Sequence, residues 1–206
     1  MDAATTALPR RLADAAETSS ALDALSALLR PAADAISASP RLSALLRGAP
    51  VGHALHPPLT DVPIGLWLSS SVLDALGPDH RRSADRLLGL GILTAAPTAL
   101  TGLADWHRAG DRVRRVGALH AVLNSGALAL YSTSWVLRRR GHRGAGVAAS
   151  LVASAAVAAS GYLGGHMVLV LHSPDEPDEP DEPDAEPDGG PHGDDTARID
   201  VQSDLP

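Results

Sequence analysis

Long uncharged stretches separated by short arginine-rich segments organise the middle of this chain. The longest runs from Gly144 to Leu171, 28 residues in which His166 is the one ionisable side chain of note, against the ~20 residues that a membrane-crossing helix needs. Val116–Leu137 supplies 22 residues that are uncharged when His120 is neutral, and Leu87–Ala104 supplies 18 between Arg86 and Asp105. A shorter run, Val62–Leu73, lies between Asp61 and Asp74. Extended to residues 60–76, it spans a bilayer if both acids sit near the interfaces, where the roughly 2.5–3.5 kcal/mol cost of a mid-bilayer charge falls away. The connections between these runs are short, so spans at about 60–76, 87–104, 116–137 and 144–171 predict an all-α, antiparallel four-helix bundle integral to the membrane. A soluble alanine-rich bundle is the competing reading, and the run lengths argue against it.

The flanks read differently. Residues 1–50 are polar, with five acids against five arginines. Leu12, Ala15, Leu22, Leu25 and Leu29 recur at helical spacing, which predicts an amphipathic helix over about residues 10–30, ended by Pro31. The opening MDAATTALPRR shows no basic segment ahead of an apolar one, so no cleaved secretory signal is expected. From Ser173 the stretch PDEPDEPDEPDAEPD places proline at every third position through Pro183. Three residues per turn is the polyproline II period, so a disordered, extended acidic tail is expected. The division is therefore a helical N-terminal region (1–50), a four-span domain (51–172) and a Pro/Asp/Glu-rich tail (173–206).

Charge and composition sharpen this picture. The net charge of −7 hides a split, because residues 173–206 hold 13 of the 24 acids and one arginine, a net of −12, leaving 11 acids against 16 arginines before them. With no cysteine, disulfides, thiolate zinc sites, iron–sulfur clusters, c-type haem attachment and a cysteine nucleophile are all excluded. No Gly-rich phosphate loop, HExxH helix or GxSxG elbow occurs, so the chain does not read as a hydrolase or transferase. Nucleic acid is not an expected partner, since the arginines flank spans and the tail repels phosphate. Arginines divide almost evenly, with Arg81, Arg82, Arg86, Arg138, Arg139, Arg140 and Arg143 on one side against Arg41, Arg47, Arg108, Arg112, Arg114 and Arg115 on the other. The polar N-terminus then places both termini in the cytoplasm of a multi-pass protein of the cell membrane.

Four antiparallel spans bring the starts of spans 1 and 3 and the ends of spans 2 and 4 to one membrane face. That face receives His53, His56, Asp61, Asp105, His107, His120 and His166. At 1.5 Å per residue, His120 lies about 6 Å inside a helix starting at Val116, and His166 about 7.5 Å inside one ending at Leu171. Intramembrane ionisable residues are functional candidates by default. Asp61 beside Thr60 reads as part of a helix start, with Pro63 in the tolerated first turn. Asp105 opposes the dipole at a helix end and needs a partner such as His107, Arg108 or a clustered histidine. Asp74 is expected to meet Arg81 or Arg82. Asn124 and Tyr131 continue His120 as a polar stripe facing the bundle interior. Ser150, Ser154, Gly161 and Gly165 line one side of span 4 for close packing, or Gly164 and Gly165 make room for a planar cofactor beside His166. Trp106 and Trp135 fall at opposite ends, as an aromatic belt places them.

Two functions compete. In one, His120 and His166, with His56 or His53 as further ligands, hold a b-type haem or a transition metal in a redox module that serves an electron-transfer protein or quinone. In the other, the protein is a non-enzymatic membrane subunit or scaffold whose polar groups pair internally and which docks a partner. Transport lacks charged residues along the bilayer depth.

The ordered set His53-Ala54-Leu55-His56-Pro57, Leu59-Thr60-Asp61-Val62-Pro63-Ile64-Gly65-Leu66-Trp67, Leu73-Asp74, Thr101-Gly102-Leu103-Ala104-Asp105-Trp106, Arg115-Val116-Gly117, His120-Ala121-Val122-Leu123-Asn124 and Gly161-Tyr162-Leu163-Gly164-Gly165-His166 resembles a bacterial four-span family over about residues 48–170. It is the domain of unknown function twenty-two thirty-one. The resemblance implies a membrane protein, and the C-terminal Rieske domain carried by some members implies electron transfer nearby. This chain departs there, running into the acidic tail without cysteine, so a redox role needs a bound cofactor or another protein. Ala54 stands where the family pattern tends to have proline.

Overall fold

The structure, a computed structural model, describes residues 8–173. The proline-repeat tail expected to be disordered lies outside the described residues. Seven α-helices follow in order: α1 (Leu8–Thr18), α2 (Ala21–Ser37), α3 (Pro40–Leu46), α4 (His56–Ala75), α5 (Arg81–Trp106), α6 (Asp111–Arg139) and α7 (Arg143–Leu169). The protein is all-α, with no strand among the described residues.

The single amphipathic helix expected over residues 10–30 is two helices. Thr18 turns its hydroxyl back to the carbonyls of Asp14 and Ala15, each at 3.4 Å, and the Thr18-Ser19-Ser20 run competes for the backbone groups a continuous helix would use. A new start follows, with Leu22 N–H bonded to the Ser19 carbonyl and Asp23 N–H to that of Ser20, both at 3.1 Å. Pro31 does not end α2 but lies inside it. The acceptor it orphans, Ala27, is exposed, so water can satisfy the carbonyl. The docked face of α1 is also not leucine-rich: Ala13, Ala16 and Glu17 are buried while Leu12 is 60% exposed. Two alanines let α1 lie close against Val116 of α6 and Leu163 of α7.

Helix α4 begins at His56, four residues before the expected start, with Pro57 and Pro58 in its first turn. Thr60 is therefore not a cap. Its hydroxyl donates to the Pro57 carbonyl at 2.6 Å. Pro63 is buried inside the helix rather than in its first turn, and Asp61 is exposed in the second turn.

Helices α4 and α5 pack together, as do α6 and α7, and contacts of α5 with α6 and of α4 with α7 close the ring. α1 and α2 lie on α6, with α1 also touching α7 and α2 touching α5. Residues 78–106 and 143–169, 29 and 27 residues long, are the two helical segments that by length and hydropathy can cross a membrane. α4 and α6 are not among them, so of the four expected spans two are met by length and hydropathy.

The centre of the ring is aromatic. Trp67 stacks on Tyr131 with centroids 4.1 Å apart and planes at 19°, among Leu88, Ala127 and Ala153. Gly91 is glycine because a Cβ there would lie 2.5 Å from Trp67 Cδ1. Trp106 is more than a belt residue: it is buried and donates its indole N–H to the Arg114 carbonyl at 3.0 Å. Trp135 carries the Arg139 guanidinium 4.5 Å above its ring.

Candidate functional site

Polar side chains gather at two levels of the ring and at its rim. At the end formed by the start of α4 and the middle of α7, the rings of His56 and His120 meet edge to face, with centroids 6.3 Å apart. His56 Nδ1 donates to the Thr98 carbonyl at 2.9 Å, and its ring fills the space above Gly102, where a Cβ would lie 2.6 Å from Cε1. His120 Nδ1 lies 2.9 Å from the Ser160 carbonyl, an acceptor only, so the proton sits on Nδ1. The lone pair of Nε2 then accepts from the Asn124 amide at 2.9 Å. Ser160 closes the unit, its hydroxyl 2.9 Å from His120 Nδ1 and 3.2 Å from the His120 carbonyl. Gly164 gives the ring its room, a Cβ there meeting Cε1 at 3.3 Å. Tyr131, further along the same stripe, bonds Ser154 at 3.0 Å.

His166 does not join this pair. It lies two residues, about 200°, round α7 from Gly164, and its Nε2 donates to Glu17 Oε1 of α1 at 2.6 Å. Both side chains are buried, at 3% and 6% exposure. Arg112 clasps the other oxygen of Glu17, with Nε at 3.0 Å and Nη2 in a closer ion pair. Burial pushes the Glu17 carboxyl up, but hydrogen bonds and charge from His166 and Arg112 outweigh it and leave the group below its ordinary value. Beside it the Arg115 guanidinium bonds both oxygens of Asp23 at 2.7 and 3.2 Å and holds that exposed carboxyl below its usual range.

The remaining expected residues are dispersed. His53 is exposed in the loop before α4, its Nδ1 3.1 Å from the Ala54 carbonyl. His107 pairs with Asp34 of α2 at 3.3 Å. Asp105 is half-buried in the last turn of α5 and is not left unpaired. Gly165 and Gly161 face open space, so their GxxxG spacing is not the point of closest approach. Gly146 of α7 does meet α6 backbone, a Cβ there lying 2.9 Å from the Ser134 carbonyl.

At the opposite end the expected pairing of Asp74 with Arg81 or Arg82 is replaced by a four-membered ion cluster. Arg138, its side chain fully buried, reaches Asp74 at 2.7 Å and Asp85 at 3.2 Å. Arg143 also meets both, pairing with Asp74 and lying 3.0 Å from Asp85. Ser134 and Ser150 bond each other at 2.7 Å and take Arg138 Nε and Nη2 at 3.1 Å each. Helix packing selects these partners, because Gly146 of α7 lies directly against Ser134 and Arg138 of α6, where a Cβ would meet Arg138 Cγ at 2.7 Å. Asp85, Arg138 as an interior residue, and Glu17 are not among the site residues that the sequence pattern singles out. For Glu17 a signal existed: it continues the Ala13/Ala16 stripe of small residues, where an acid is out of place unless paired.

A helical ring that pairs its charges inside while leaving leucines and valines on its outer surface defines a helical membrane protein. The chain belongs to the family described as Predicted membrane protein (DUF2231), whose match covers residues 52–173. No curated protein and no solved structure matches it.

Proposed function

We propose that the protein is a multi-pass membrane subunit in which α4–α7 cross the cell membrane, polar residues pair within the bundle, and α1–α3 ride on its cytoplasmic end as the region that docks a partner. The observation that carries this reading is His120: an imidazole ligates through a nitrogen lone pair, and the one His120 has is held by Asn124. Haem ligation through His120 with His166 would require breaking that bond and turning His166 away from Glu17. Pairing also explains how α4 and α6 cross lipid despite their charge, since Asp74, Arg138 and the Asp85–Arg143 pair neutralise one another inside the ring.

One observation favours the redox reading. His56 keeps Nε2 without a hydrogen bond from the described residues, and both it and His120 tie Nδ1 to a carbonyl, the orientation that metal-bound histidines adopt. Protein purified in detergent from cells supplied with iron and haem separates the two. The subunit reading predicts no Soret band, and predicts that Asn124→Ala costs about 1–3 kcal/mol of stability by leaving His120 Nε2 unsatisfied. A stoichiometric Soret band that disappears in His120→Ala would replace it with a haem-binding module serving an electron-transfer protein or quinone.

A further inference from the structure

Where α1 closes on the end of α7, Asp14, Glu17 and His166 each turn a ligand atom into one space, all within 4.8 Å of one another. Asp14 and Glu17 are three residues apart on α1 and so share a face. His166 enters from the other side, from a segment 149 residues later in the chain than Glu17. Two of the three are buried and only Asp14 is exposed, so the space is walled by protein and open on one side.

From this arrangement we propose a divalent transition-metal site formed by Asp14, Glu17 and His166, which latches the N-terminal helix onto the bundle. It is independent of the subunit reading and of the His56–His120 pair. One imidazole nitrogen and two carboxylates suit zinc, or the harder manganese through the carboxylates, and disfavour copper(I), which seeks sulfur. Zinc at about 2.0–2.2 Å from nitrogen and oxygen donors needs the ligand atoms to draw together, and the exposed Asp14 side chain has the freedom to do so. Arg112 serves as the outer partner: it holds Oε2 of Glu17 and leaves Oε1 for the ion. His166 Nε2 gives up its proton as the ion binds; a neutral imidazole carries it on Nδ1 instead, and an imidazolium releases it to solvent. Coordination by α1 and α7 together ties the two ends of the described chain to each other.

The test uses the full chain in detergent, stripped with a chelator and titrated with Zn2+ in excess Mg2+, which occupies the acidic tail. One zinc per chain is expected. Glu17→Gln and Asp14→Asn should each weaken binding by more than about 10–100-fold, the loss that follows when only an outer hydrogen-bond partner of a ligand is removed, whereas His53→Ala and His107→Ala should leave it unchanged. Asp14 is exposed, so Asp14→Asn keeps the fold even if Glu17→Gln does not. Cobalt(II) in place of zinc should give a visible band that is lost in Asp14→Asn. Zinc binding that is absent, or equal in wild type and Asp14→Asn, overturns the site.

Discussion

Arg138→Ala should lower the unfolding free energy of the detergent-solubilised protein by about 3–5 kcal/mol, the cost of breaking a buried ion pair from one side. No exposure remains to the Arg138 side chain, and its donors serve Asp74, Asp85, Ser134 and Ser150. Removing it leaves Asp74, 8% exposed, with Arg143 alone and strips two hydroxyls of a donor. Within a bundle the alternative partner is lipid, which offers no hydrogen bond. Arg140, one turn-end away and exposed, is the control, and its alanine variant should fall within about 0.5 kcal/mol of wild type. An Arg138→Ala loss below 1 kcal/mol would mean that the ion cluster does not hold this end of the ring together.

Trp67→Ala should cost about 3–5 kcal/mol, as large-to-small core replacements do. Trp67 is 6% exposed, stacks on Tyr131 and occupies the notch that Gly91 leaves open on α5. Its loss opens a cavity between α4, α5 and α6 that no flexible neighbour fills. Equilibrium unfolding in mixed detergent, followed by far-UV circular dichroism, measures it. The same notch forbids Gly91→Ala without displacement of the indole, so the two positions should show strong non-additivity in a double-variant cycle.

Much of the architecture is legible in the chain because it depends on run length. Uncharged stretches set the long helices, and short arginine-rich connections force neighbours to be antiparallel. Boundaries were less legible, because a proline's effect depends on whether its orphaned carbonyl is buried: Pro31 sits within α2 beside exposed Ala27, and Pro57 and Pro58 open α4 where Thr60 had looked like the cap. Among the site residues, the sequence placed His56 and His120 on one membrane face, with Asn124 next along the stripe from His120, and the two histidine rings meet there. Depth alone could not separate His120 from His166, since residues on the neighbouring helices α6 and α7 can share a level while facing different ways. Glu17, the partner of His166, lies 149 positions away in a helix whose docked face is alanine. The alanine stripe marks Glu17 as a residue in need of a partner, but nothing local says that the partner is His166.

The claim on which the rest depends is that α4–α7 are four crossings and not two. The chain has no cysteine, so each introduced cysteine is the only thiol, and labelling of intact cells with a membrane-impermeant maleimide reports its side directly. Placed at Asp79 before α5, at Arg108 between α5 and α6, at Arg140 between α6 and α7, and at Ser20, the four thiols should divide into two pairs. Asp79→Cys and Arg140→Cys should label from outside, while Arg108→Cys and Ser20→Cys should label only after permeabilisation. If Asp79→Cys labels from the same side as Ser20→Cys, or Arg140→Cys from the same side as Arg108→Cys, then α4 or α6 does not cross the membrane and the four-span account fails.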